Sequence, residues 1–98
     1  MREVWLSDLD LAARAVMAVR PDQQEQFASQ LIEEAHVCDL WRKRFGVPHS
    51  SGGTGSLYAQ ASLYLSAPSG LSDSAYCRAF CFVLQALEVW RRRTHKVV

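Results

Sequence analysis

The stretch PDQQEQFASQLIEEAHVCDLWRKRF, residues 21–45, decides the fold. Within it Phe27, Leu31, Ala35, Cys38, Trp41 and Phe45 step by four, four, three, three and four, which keeps them on one side of a 3.6-residue turn. Pro21 suits a first helical turn, where its missing N–H would go unpaired anyway. Asp22 and Glu25 follow where the helix dipole favours acids, and Arg42, Lys43 and Arg44 stand in the last turn, where it favours bases. Gly46 and Pro48 supply the stop. The spacing predicts one helix over about 21–45, roughly 37 Å long.

Three more helices follow from the same signals. Ser7 as N-cap and Asp10 three residues on, with Leu6 and Leu11 as a hydrophobic staple, predict a first helix over about 8–20, closed by Pro21. Its apolar set is Leu9, Ala12, Ala13, Val16 and Met17. Leu57, Ala61 and Leu65 predict a short third helix at about 57–66, broken by Ala67-Pro68-Ser69-Gly70. Ser72 as N-cap, with Leu71 and Tyr76 as its staple, opens a fourth helix over about 73–93. Tyr76, Phe80, Val83, Leu87 and Trp90 form its core stripe, while Phe82, Leu84, Ala86 and Val89 are apolar off that stripe. A helix apolar over more than half its girth is either central to the bundle or part of a subunit interface. Trp41 and Phe45, with Tyr76, Phe80 and Trp90, are expected to fill the interior.

No period-two alternation and no repeat interrupts this reading, so the fold class is all-α, a compact bundle of about four helices. At 98 residues the chain fits a single helical domain, residues 1–98. Residues 46–56, rich in Gly and Ser, are expected to form an exposed flexible loop, and residues 94–98 a frayed basic tail. A hydrophobic share of 49% against 21% charged residues excludes intrinsic disorder. The longest apolar run, Ala79 to Leu84, is far short of the roughly 20 residues of a membrane helix. Arg2 is followed by no apolar segment of signal-peptide type, so a cytoplasmic protein without membrane association is expected. Cys38, Cys77 and Cys81, odd in number, are then expected to be free and mostly buried thiols.

Catalytic constellations are weak. His36, Cys38, Cys77 and Cys81 are the available soft ligands, but His36 and Cys38, two residues apart, point to different sides of one helix. Gly52-Gly53-Thr54-Gly55-Ser56 precedes a helix without the strand or the lysine that a phosphate-cradling loop needs. His49 stands beside Ser50 and Ser51 with nothing to fix a third member of a triad. No catalytic residue, metal or cofactor is expected, and the protein is not expected to be an enzyme.

Charge placement says more. The formal net charge is only +1, yet seven of 11 Lys and Arg residues fall in two clusters: Arg42, Lys43, Arg44, and Arg91, Arg92, Arg93 with Lys96. If the helices alternate up and down, both clusters end at one pole of the bundle. Two readings fit: complementation of helix dipoles, or a surface contacting DNA phosphates, with His95 assisting. In the second, several copies would compensate for the small charge of one. Phe82, Leu84 and Val89 are the candidate oligomer interface.

A family resemblance adds to this. The residues Glu34-Ala35, Asp39, Arg42, Gly46 and His49, then Gly55-Ser56-Leu57, then Leu71-Ser72-Asp73, Tyr76-Cys77, Val83-Leu84 and Ala86-Leu87 resemble the small terminase subunits of alphaproteobacterial gene transfer agents, over about residues 5–92. The resemblance implies a non-catalytic, oligomerising DNA-packaging factor. Such a factor binds double-stranded DNA weakly with little sequence preference and recruits a large terminase subunit. The absence of a helix-turn-helix agrees with that, because the second helix is far too long for a recognition helix. The alternative is a protein–protein interaction module, a phage-type adaptor or regulator that never touches DNA.

Overall fold

A computed structural model describes residues 1–68 and 70–94. Among these residues the chain is all-helical, without strands. The elements are α1 (Leu6–Met17), a 3-10 turn (Pro21–Gln23) leading into α2 (Gln24–Phe45), a short α3 (Leu57–Ala61) and α4 (Ser74–Thr94). The compact all-α bundle and its two long helices are therefore as the apolar spacing predicts.

The element ends depart from expectation for local reasons. α1 starts at Leu6, with Trp5 as N-cap, because the Asp8 carboxylate takes the Trp5 N–H at 2.9 Å; Ser7 is simply exposed in the first turn. α1 stops at Met17 rather than near residue 20. Ala18 and Val19 tighten onto the carbonyls of Ala15 and Val16, and Arg20, preceding a proline, is extended at φ −55°, ψ 140°. α3 ends at Ala61 and not at 66, because the chain leaving it is pinned sideways. The Tyr64 hydroxyl donates to Glu34 Oε1 at 2.7 Å, and Ala67 exchanges two hydrogen bonds with Arg14. α4 begins at Ser74 with Asp73, not Ser72, accepting the Ala75 N–H at 2.9 Å. Neither staple forms, since Leu6 and Leu71 are both largely exposed. α2 ends as expected on Gly46, which adopts φ 73°.

The central element is α1, not α4. Leu9, Ala12, Ala13, Ala15 and Val16 are buried, and the helix touches each of the other three. Its alanines let neighbouring backbones come close. α2 and α4 both run antiparallel to α1. Tyr76, early in α4, donates to Asp10 of α1 at 2.6 Å, while Trp90, late in α4, stacks edge-on against His36 of α2, 5.2 Å between centroids. Burial and the acceptor carboxylate raise the Tyr76 phenol to about 12, which keeps it the donor of that bond.

Two expectations about the interior are corrected. The core stripe of α2 ends at Cys38; Trp41 and Phe45 are 38% and 51% exposed, because nothing beyond Cys38 covers that side of the helix. Of the three thiols only Cys38 is buried, whereas Cys77 is half-buried and Cys81 exposed, because α4 turns that side outward.

The segment between α2 and α3 is also more deeply set than its composition suggests. Gly53 and Gly55 are buried, so the segment is not exposed along its whole length. Gly55, at φ 106°, lies so close to α2 that a Cβ there would stand 2.7 Å from the Cα of Asp39. Gly55→Ala should cost at least about 2 kcal/mol, combining a disallowed backbone angle with overpacking. Gly70→Ala, where a Cβ meets nothing within 4 Å, should leave the urea midpoint almost unchanged. Equal midpoints for the two variants would contradict this account of the loop.

Candidate interaction surfaces

Asp39 organises the C-terminal half of α2. Its side chain is buried, with Oδ1 held by Arg42 at 3.1 Å and Oδ2 facing two ammonium groups, Met1 N at 3.1 Å and Lys43 Nζ at 3.0 Å. Burial alone would raise this carboxyl. The hydrogen bonds from Lys43, the Met1 ammonium and Arg42 win, and bring it down to about 2. The Met1 ammonium also donates to His36 Nδ1 at 2.9 Å, so the imidazole accepts there in its neutral form. Burial, then the ammonium, lowers the pKa of His36. Arg42 continues the chain of contacts by donating from Nε to the Thr54 carbonyl at 3.0 Å.

The described basic residues of α2 and α4 lie towards the same end of the bundle, but staggered. The C-terminal turn of α4 lies beside the middle of α2, where Arg93 pairs with Glu33, and Arg42, Lys43 and Arg44 follow roughly 15 Å further along α2. Arg42 and Lys43 are tied to Asp39, and Arg92 pairs with Glu88 at 2.9 Å. Among the described residues Arg44 and Arg91 have no acidic partner; Arg44 lies over the Phe45 ring at 5.5 Å. Lys96 and His95, with the tail after Thr94, lie outside the described residues.

Phe82, Leu84 and Val89 line one groove of about 600 Å³, closed on its other side by Glu25 and Ser29 of α2. Leu84 and Val89 are 43% and 45% exposed and stand among Gln85, Glu88 and Arg92, so this side of α4 is uncovered within the chain and mixed in character. A second uncovered face was hidden in the α2 sequence. Val37, Leu40, Trp41 and Phe45 are all exposed. Val37 and Leu40 lie on the side of α2 away from Leu31, Ala35 and Cys38, and Trp41 and Phe45 join them from the edge of the core stripe, where it runs out of cover.

The remaining polar cluster lies at Cys38. Its Sγ donates to Gln60 Oε1 at 3.4 Å, and the Ser51 Oγ next to it is 2.9 Å from His49 Nδ1. No carboxylate joins His49 among the described residues, and none of the His, Cys, Asp and Glu side chains there gather in a group of three or more fit to hold a metal. Among the described residues no helix is long and apolar enough to cross a membrane.

A family profile described as Domain of unknown function (DUF7742) matches residues 2–87 of the chain. No curated protein and no solved structure matches it.

The Asp39 clamp sets a pH dependence. Its folded pKa, about 2, lies below the unfolded 3.8, so the unfolded chain takes up the proton first as pH falls. Its contribution is complete above about pH 5 and is lost towards pH 2, amounting to about 2 kcal/mol. Asp39→Asn should cost about 3 kcal/mol near pH 7, because the buried Met1 ammonium loses its counter-charge. Urea midpoints between pH 2 and 6 should flatten in the variant; equally steep curves would contradict the assignment.

Proposed function

The chain belongs to the DUF7742 family, a domain of unknown function, and from the surfaces above we propose that it is a non-catalytic DNA-packaging factor of the small-terminase kind. In this reading it self-associates through Phe82, Leu84 and Val89 and contacts the phosphates of double-stranded DNA through its basic pole. It recruits a large terminase subunit without bond-making chemistry of its own. The observation that carries the reading is the open groove on α4, with Phe82, Leu84 and Val89 in its lining, beside the end that holds Arg91, Arg92 and Arg93. Self-association at such a groove repeats the basic pole in every copy. That repetition matters, because one copy sets six described bases against three partner acids, Asp39, Glu33 and Glu88. A weak phosphate surface gains from avidity when it is presented several times.

The resemblance to small terminases of gene transfer agents, which package DNA with little sequence preference, agrees with a surface that offers arginines but no groove-reading helix. Arg42, Lys43, Arg44, Arg91, Arg92, Arg93 and Lys96 are the proposed phosphate contacts. Arg91 is the foremost of them, because it has no acid to leave among the described residues.

One observation favours the second reading, a protein-interaction module that never meets DNA. Four of the six described bases are already paired with an acid within the chain, as expected of a surface built for dipole complementation and solubility.

Light scattering and DNA titration separate the two. The packaging reading expects a discrete assembly near physiological salt, and DNA affinity that falls with salt with a log–log slope of about −0.9 per phosphate contact. Arg91→Glu should lower that affinity several-fold and leave both the assembly and the helical circular dichroism intact. An assembly without salt-dependent DNA affinity would leave the adaptor reading in place.

A further inference from the structure

The groove on α4 and the apolar outer face of α2 are both uncovered, and they differ in charge. The outer face carries Val37, Leu40, Trp41 and Phe45 as a convex ridge at the end of a helix, with Arg44 among them and without an acidic partner among the described residues. Trp41 is held upright between Phe45 and His49, at centroid distances of 4.4 and 5.1 Å, so the ridge has a fixed aromatic crest. The groove is concave, with Phe82, Leu84 and Val89 set among Gln85 and the Glu88–Arg92 pair. Its wall carries Glu25, which has no basic partner among the described residues, and Glu88, shared with Arg92.

Convex against concave and an unpaired arginine against an unpaired glutamate are the marks of two halves of one interface. Within one chain they cannot meet. Glu25 stands near the start of α2 and Arg44 near its end, 19 residues apart on one rigid helix, about 28 Å along its axis.

We propose that the α2 ridge around Trp41 of one copy seats in the α4 groove around Leu84 of a second copy, with Arg44 facing Glu25 across the contact. This rests on the self-association proposed above and specifies it. The contact is head-to-tail: each copy offers a ridge to one neighbour and a groove to another. Repetition then gives a ring where the rotation closes and an open chain where it does not. Burying Trp41 and Leu84 in the same contact removes from water apolar surface that an isolated copy leaves exposed.

Mixing two variants tests the geometry. Trp41→Asp spoils only the ridge and Leu84→Asp only the groove; both side chains are exposed, and circular dichroism checks that each variant keeps its helices. Each alone should be monomeric by light scattering where the unaltered protein assembles. Their equimolar mixture should form a one-to-one heterodimer, since one intact ridge and one intact groove remain.

A charge exchange gives an independent reading. Arg44→Glu and Glu25→Lys should each weaken assembly about tenfold or more, and the double variant should restore it. Assembly of Trp41→Asp as in the unaltered protein would overturn the ridge while leaving self-association through α4. A mixture that stays monomeric would overturn the head-to-tail contact. A monomeric unaltered protein would overturn this contact and the self-association on which it rests.

Discussion

Asp39 is a carboxylate taken out of water in the middle of a small helical protein, and the arrangement around it depends on how that charge is matched. Three cationic groups from two parts of the chain converge on its two oxygens: the Met1 ammonium, Arg42 and Lys43. Together they fasten the N-terminal segment to α2. The Gly55 backbone closes over the same residue, and Arg2 donates its N–H to the Gly55 carbonyl at 3.0 Å. The loop that looks loose by composition is thus laid across the one buried charge of α2 and fixed there. That sets where α3 begins, and Asp8 of α1 reinforces it by accepting the Tyr58 N–H at 2.9 Å.

The fold was largely legible because it rests on apolar spacing, and spacing is a property of sequence alone. Leu31, Ala35, Cys38, Tyr76, Val83 and Trp90 are buried where their periodicity places them. Helix ends were less legible, since they are set by contacts between distant segments. Tyr64 reaches Glu34 and shortens α3, and Asp8 reaches Trp5 and Tyr58 and lengthens α1 towards its start. Asp39 could not be singled out at all. An acid followed at three and four residues by Arg42 and Lys43 reads as an ordinary solvated helix face, and only folding reveals that the face lies under Gly55. The outer ridge of α2 was missed for a related reason: Trp41 and Phe45 extend the core spacing beyond the point where anything remains to cover them.

The basic residues show how a count of charges misleads when their partners lie far away in the chain. Arg93 finds Glu33 on another helix, sixty residues earlier. Arg42 is spent as much on the Thr54 carbonyl and Asp39 as on the solvent. What the pole offers outward is therefore concentrated in a few arginines.

The Tyr76–Asp10 bond joins residues 66 positions apart, and α1 lies at the centre of a core whose other wall is α4. Of the four helices, α1 therefore finds its full set of neighbours only after α4 has been made. Contacts of such sequence separation slow folding, because the intervening chain must be closed before they form. At ribosomal rates of about 5–20 residues per second, α1 waits several seconds for α4, with only α2 and α3 to pack against in the meantime.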